Sequence, residues 1–157
     1  MVVVTIQSVA FPRSYIGLDG TGLAGWEPEG GGDSGISQGI ATNARFELIS
    51  NSDGTVSFRS IAFPNCYLRA SGLGVPPGTD TNAGGIVNAQ FGVSTHERYF
   101  IREQAAGSGS AGLELAAWPG RYLRLQAETD QLNVQGVMGV HEVFYIIAIA
   151  GMTREEA

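Results

Sequence analysis

Three short segments of this chain carry nearly the same residue types: Val9-Ala10-Phe11-Pro12-Arg13-Ser14-Tyr15-Ile16, Ile61-Ala62-Phe63-Pro64-Asn65-Cys66-Tyr67-Leu68 and Ala116-Ala117-Trp118-Pro119-Gly120-Arg121-Tyr122-Leu123. Their prolines, at 12, 64 and 119, lie 52 and 55 residues apart. A second echo follows late in each unit, as Thr42-Asn43-Ala44-Arg45-Phe46-Glu47, Thr95-His96-Glu97-Arg98-Tyr99-Phe100 and Val140-His141-Glu142-Val143-Phe144-Tyr145. Two landmarks in the same order, three times over, define a supersecondary unit that buries its apolar face only against its own copies. The units run over about 1–53, 54–110 and 111–150 of a single domain, and a polar tail occupies 151–157.

Inside each unit the apolar residues recur with period two. Val4-Thr5-Ile6-Gln7-Ser8, Val56-Ser57-Phe58-Arg59-Ser60 and Leu113-Glu114-Leu115-Ala116 alternate as half-buried strands do. After the Pro turn comes a second strand with Ile16, Leu68 and Leu123 inward, while Tyr15, Tyr67 and Tyr122 face the other way with Gly17, Arg69 and Arg124. Third strands are expected over 35–40, 86–91 and 132–137. Fourth strands follow over 45–49, 98–102 and 143–148, with Phe46/Leu48, Tyr99/Ile101 and Phe144/Ile146 inward. The chain is therefore all-β, with twelve strands; 23 glycines in 157 residues and only 15% charged residues suit short strands joined by tight turns. The apolar end at 143–150 is far shorter than the roughly 20 residues of a membrane-spanning helix. It is read as a last strand that pairs with Val2-Val3-Val4 and so leaves no open sheet edge.

Three four-stranded units with an aromatic-Pro-x-x-Tyr-Leu-Arg motif and a later x-x-Phe motif resemble a β-trefoil. Over nearly the whole chain the resemblance is to the arabinose-binding module of α-L-arabinofuranosidases, carbohydrate-binding family 42. Its repeat reads like Ser-Val-Asn-Phe-Pro-Gly-Arg-Tyr-Leu-Arg-His; the chain has Ser60-Ile61-Ala62-Phe63-Pro64-Asn65-Cys66-Tyr67-Leu68-Arg69-Ala70. The resemblance implies a lectin-like module that binds glycans without chemistry, in up to three weak pockets between strand two and the turn before strand four. In that family the His after Tyr-Leu-Arg and an Asp before the strand-four Phe help hold the sugar. Here the first position is Leu18, Ala70 and Leu125, and the second is Asn43, His96 and His141, side chains that still hydrogen-bond a hydroxyl. The rings of Tyr15, Tyr67 and Tyr122 suit a sugar's C–H face, and Arg69 and Arg124 suit paired hydrogen bonds to its rim. Each also has a plainer reading: a turn cap for Asn43, His96 and His141, packing against the Pro turn for the tyrosines, and a solvated strand face for the arginines.

Two long Gly-rich loops, 25–34 and 74–85, break the symmetry; the third unit has only 127–131 at the same place. Trp26, Asp33, Asp80 and Asn82 are their candidate specificity residues, linker being the alternative. Glu27, Glu29 and Asp33 share the composition of a calcium loop without its spacing, so neither metal nor cofactor is expected. No nucleophile elbow, phosphate loop or His-Glu-x-x-His pattern occurs, and an enzyme is not expected. A formal charge of −6 with no lysine opposes nucleic-acid binding, and membrane insertion is not expected either. One cysteine, Cys66, and a start without a basic flank or long apolar stretch point to the cytoplasm, or to secretion if a signal has been removed. The alternative function is a protein-binding trefoil, such as a protease inhibitor, that presents the long loops.

Overall fold

The computed structural model describes residues 1–104, 107–126 and 131–149. The expected tail at 151–157, residue 150 at the end of the apolar segment, and all but Gln131 of the short third-unit loop lie outside them. Unit one contributes β1 (Val2–Ser8), β2 (Ser14–Asp19), β3 (Asp33–Gln38) and β4 (Phe46–Ser50). Unit two contributes β5 (Val56–Ser60), β6 (Cys66–Ser71), β7 (Ile86–Phe91) and β8 (Tyr99–Glu103). Unit three contributes β9 (Ser110–Leu115), β10 (Tyr122–Gln126), β11 (Gln131–Gln135) and β12 (Val143–Ala148). A single 3-10 turn precedes each fourth strand: Thr42–Ala44, Thr95–Glu97 and Val140–Glu142. These are the twelve strands that the alternation anticipates.

First and fourth strands close into a ring. β1 pairs with β4 and β12, β5 with β4 and β8, and β9 with β8 and β12, all antiparallel. The apolar end pairs with the start of the chain as expected, with Val4 opposite Ala148 and the Ile149 N–H donating to the Val3 carbonyl at 2.8 Å. The hairpins β2–β3, β6–β7 and β10–β11 cap the ring, one per unit. Barrel and caps share one core. Ile6, Phe46, Phe58, Tyr99, Leu113 and Phe144 come from the barrel and Ile16, Leu18, Leu68, Ala70, Leu123 and Leu125 from the caps, all buried. Phe58 holds the barrel centre, edge-on to Phe46 with centroids 6.2 Å apart and tilted against Tyr99 at 5.9 Å. The Tyr99 hydroxyl donates to the Leu68 carbonyl at 3.1 Å, which satisfies the one polar atom of that ring.

Ile101 lies on the expected side, directly opposite buried Leu113, yet it is 41% exposed. β8 meets β5 only at Tyr99 and runs on beside β9 alone, so its outer half lacks a neighbour on one side.

The repeated Pro turn is closed from the first strand of its own unit. Ser8 Oγ accepts from the Phe11 N–H at 3.0 Å and Ser60 Oγ from the Phe63 N–H at 2.9 Å. Gln7 Nε2 donates to the Pro12 carbonyl and Arg59 Nε to that of Pro64, while Glu114 Oε2 accepts from the Gly120 N–H. The turn then delivers an aromatic ring, Phe11, Phe63 or Trp118, to the junction with the preceding unit.

Candidate functional site

The space between strand two and the turn before strand four is not the same in the three units. In unit two Arg69 is 5% exposed, so the plainer reading of a solvated strand-face arginine does not hold. It does point away from the barrel, but the turn Thr95–Glu97 packs over that face. Its Nη1 donates to Asn88 Oδ1, directly across the β6–β7 register, at 3.2 Å, and its Nε forms an ion pair with Glu97 Oε2 at 3.9 Å. Glu97 is fully buried, and its Oε1 accepts from the Ser94 N–H at 2.7 Å and the Ser94 hydroxyl at 2.9 Å. Unit three repeats the set: Arg124 Nε lies 3.5 Å from Glu142 Oε2 and its Nη1 donates to Asn133 and Gln126. Arg124 is half-buried, so it too departs from the plainer reading of an open strand-face group. Burial pushes the Glu142 carboxyl up, against the pull of the Gly139 N–H and Arg124.

Unit one lacks all three side chains. Gly17 stands for Arg69, Gly35, its register partner, for Asn88, and Ala44 for Glu97. Removing one member alone would strand a buried charge; removing the set does not. What remains is an open cleft of about 210 Å³ lined by Gly17, Leu18, Asp19, Asp33, Ser34, Gly35, Ile36 and Asn43. Asn43 leans into the vacated space, its Nδ2 3.0 Å from where a Cβ on Gly17 would sit. Asn43 and Asp33, ten residues apart, both line the cleft.

His96 and His141 sit at unit junctions. The His141 ring stacks on Phe11 of unit one, centroids 5.6 Å apart and planes within 3°, and His96 packs edge-on to Trp118 of unit three at 4.7 Å. Small residues make room for these aromatics: a Cβ on Gly72 would lie 3.1 Å from Trp118, and one on Gly20 3.0 Å from Phe63. Burial, aided by nearby Arg69, lowers the His96 pKa below its ordinary value, which keeps the ring neutral at pH 7. Tyr15, Tyr67 and Tyr122 are half-buried beside the Pro turns, opposite Gln7, Arg59 and Glu114 in the strand register.

The long loops are docked on the next unit rather than being linkers. Gln90 on β7 clasps the backbone of Glu27, accepting its N–H at 3.2 Å and donating to its carbonyl at 2.6 Å; Asn88 donates to the Glu29 carbonyl, and Gly31 forms a bridge with Ala89. Unit two treats unit three alike: Gln135 donates to the Asp80 carbonyl, the Gly78 N–H to the Gly136 carbonyl at 2.7 Å, and Gly84 bridges to Val134. Gly136 is needed there because a Cβ would strike the Pro76 carbonyl oxygen. Asp80 and Asn82 are exposed on this loop.

The first loop holds Trp26, 56% exposed, against unit two. A cleft of about 530 Å³ opens between Trp26 and Pro28 on one side and Ser94, Thr95 and His96 on the other. A smaller one, about 200 Å³, adjoins it on the side of Gln90 and Glu97 and shares Trp26 and Ser94. Trp26 and His96, candidates from different units, are thus brought together. Sequence reasoning missed Glu97, Glu142, Asn88, Gln90 and Gln135. Among the described residues no three His, Cys, Asp or Glu side chains converge on a common point.

No protein-family model matches the chain, and no curated protein sequence does. Among solved structures it is similar to a mosquitocidal holotoxin (TM-score 0.70, 10% identity), covering 94% of this chain and 17% of that one. It is similar also to SeviL bound to asialo-GM1 saccharide (0.69, 11%; 94% and 97%). A third is an arabinofuranosidase complexed with arabinofuranosyl-α-1,2-xylobiose (0.59, 16%; 92% and 30%). The chain therefore spans nearly all of SeviL but less than a third of the holotoxin and arabinofuranosidase chains. At these identities the likeness speaks to architecture, and with the closed six-strand ring, three capping hairpins and threefold repeat it establishes that the chain is a β-trefoil.

Proposed function

We propose that the protein is a glycan-binding module that performs no chemistry, and that its principal site is the cleft between Trp26 and His96. One observation carries this: an indole left mostly in water yet held in place through the Gln90 clasp on the next residue, facing a neutral imidazole and two hydroxyl residues. An exposed tryptophan ring offers an apolar platform for the C–H face of a sugar. Neutral His96, Ser94 and Thr95 supply donors and acceptors for its hydroxyls without a charge that would need to be desolvated. The side chains lining this cleft include no carboxylate pair of the kind glycoside hydrolysis uses. The saccharides bound by SeviL and by the arabinofuranosidase support the same reading.

An open, shallow site of this kind binds a single sugar weakly, about 4 kcal/mol at millimolar Kd. Useful affinity then comes from several contacts on one polymer. A glycan array that includes arabinans, arabinoxylans and galactosides tests the proposal. The expected result is a hit that Trp26→Ala removes while the melting temperature stays unchanged; a blank array with folded protein overturns it.

A second reading has one observation in its favour. The loop at 74–85 is pinned at Val75, Gly78, Asp80 and Gly84 while 81–83 stay exposed, the rigid presentation that a protease-inhibiting loop needs. Inhibition that follows this loop when it is grafted onto another trefoil would favour that reading.

A further inference from the structure

We infer that the Trp26 cleft selects a cationic ligand, an oligosaccharide of amino sugars whose amines are free and protonated, and that Glu27 and Glu29 set this preference. The inference rests on the glycan-binding reading of the cleft and adds the charge of its ligand. The run Trp26-Glu27-Pro28-Glu29 alternates an apolar residue with a carboxylate. Trp26 and Pro28 line the cleft, whose volume of about 530 Å³ falls within the roughly 300–1,000 Å³ of ligand pockets. Glu27 and Glu29 are exposed, and the backbone that carries them is fixed. Gln90 holds the Glu27 N–H and carbonyl, the Gly30 N–H donates to that carbonyl at 3.1 Å, and Asn88 Nδ2 donates to the Glu29 carbonyl at 3.0 Å. Each glutamate is one residue from a lining residue, so its charge acts on the cleft from within a Debye length, about 8 Å at physiological ionic strength.

Unit two, on which this loop docks, has no free arginine to neutralise the two carboxylates. Arg59 pairs with Glu47, Arg69 with Glu97, Arg98 with Asp53 and Arg102 with Glu114, and among the described residues neither Glu27 nor Glu29 forms an ion pair. The chain has no lysine, and His96 on the opposite wall is neutral. Two features then act in the same direction. The face of an indole attracts a cation more strongly than any other aromatic side chain does, and the carboxylates beside it deepen the same negative potential. A protonated amine on a sugar ring also makes the ring's C–H face more positive, which strengthens its contact with the indole. The far wall of Ser94, Thr95 and His96 is polar, so it suits the hydroxyls that flank a sugar amine better than the methylene stem of a lysine. Uronic acids and sulfated sugars meet like charge and are rejected.

The test is a calorimetric titration at about pH 6.5, where a free sugar amine is protonated, with three 1,4-linked tetrasaccharides that differ in charge: the glucosamine tetramer, its neutral counterpart cellotetraose, and tetragalacturonate. At low salt the glucosamine tetramer is expected to bind at least about tenfold more tightly than cellotetraose, and tetragalacturonate not at all. The double change Glu27→Gln, Glu29→Gln, at exposed positions, should cut that ratio to about threefold or less, and about 0.5 M sodium chloride should do the same to the parent protein. Trp26→Ala should abolish binding of the glucosamine tetramer. Equal affinity for the glucosamine tetramer and cellotetraose, a ratio indifferent to the double change, or binding of tetragalacturonate overturns the charge selection and leaves the glycan reading standing. A tetralysine peptide that binds as tightly, through Trp26, overturns the amino-sugar class and makes the cleft a site for basic peptides. Failure of all three tetrasaccharides to bind also overturns the inference, and only a blank glycan array in addition sinks the reading on which it rests.

Discussion

Unit one and unit two have the same strands, the same Pro turn and the same 3-10 turn, yet one buries an ion pair where the other holds an open cleft. The difference is confined to three positions that face one another: 17, 35 and 44 against 69, 88 and 97. A buried charge costs several kcal/mol unless it is paired, so the members of such a set are gained or lost together. Threefold symmetry of the backbone is therefore compatible with strong asymmetry of surface chemistry, provided each exchange is complete.

Breaking the set is the severest way to test this. Glu97→Ala leaves Arg69 buried without its counter-charge and is expected to lower the unfolding free energy by about 3–5 kcal/mol. The triple change Arg69→Gly, Asn88→Gly, Glu97→Ala, which rewrites unit two as unit one, should cost less than the single change in urea denaturation. A triple variant less stable than Glu97→Ala would show that the pair is not a coupled set.

Most of the fold was legible because a period of two residues and a period of about 50 residues are both written in the chain. Ile16, Leu68 and Leu123 illustrate it: alternation places them inward, and all are buried. The sites were less legible. Arg69 faces away from the barrel as alternation requires, but whether that face meets water or another turn is decided by residues 28 positions later. A signal was present, since Gly17, Arg69 and Arg124 vary in step with Ala44, Glu97 and Glu142 when the units are aligned with one another. The docking of the long loops had no such signal, because Gln90 and Gln135 grip backbone atoms, which any loop sequence offers. Ile101 keeps the side that alternation gives it but stays exposed, because the outer half of β8 lacks a neighbour on one side.

The two tryptophans sharpen the contrast between a surface platform and a junction wedge. Trp26→Ala is expected to weaken glycan binding about thirtyfold, near 2 kcal/mol, without a change in melting temperature. Trp118→Ala, which empties the contact with His96 and Gly72, should instead destabilise the fold by about 2 kcal/mol. Equal effects of the two on stability would contradict the assignment of roles.

The two glutamine clasps separate docking from recognition. Gln90→Ala and Gln135→Ala each remove hydrogen bonds to a docked loop and should cost about 1 kcal/mol of stability. Only Gln90→Ala is expected to weaken glycan binding, roughly fivefold, because only that loop carries Trp26. Parallel calorimetry and binding measurements on the two variants decide the matter, and a loss of binding in Gln135→Ala would move the site towards unit three.

The mildest contrast lies in the residue after each 3-10 turn. Arg45 in unit one donates to the Ile40 carbonyl at 3.3 Å, whereas Arg98 in unit two reaches Asp53 Oδ2 at 3.0 Å. Asp53 also accepts from the Thr55 hydroxyl and N–H, and these bonds, with a smaller contribution from Arg98, hold its carboxyl down from 3.8 to about 2. A carboxylate with a depressed pKa favours the folded state above its unfolded value and loses that contribution as pH falls through the folded one. Asp53→Asn should therefore flatten the decline in stability between pH 4 and pH 2, and leave the profile above pH 5 parallel to that of the parent. The group is fully exposed, so salt should weaken the Arg98 share of the effect and spare the Thr55 share, which is short-ranged. An acid limb that keeps its slope in Asp53→Asn would place the decisive titration elsewhere, and the surface contrast between the two arginines would carry no energetic weight.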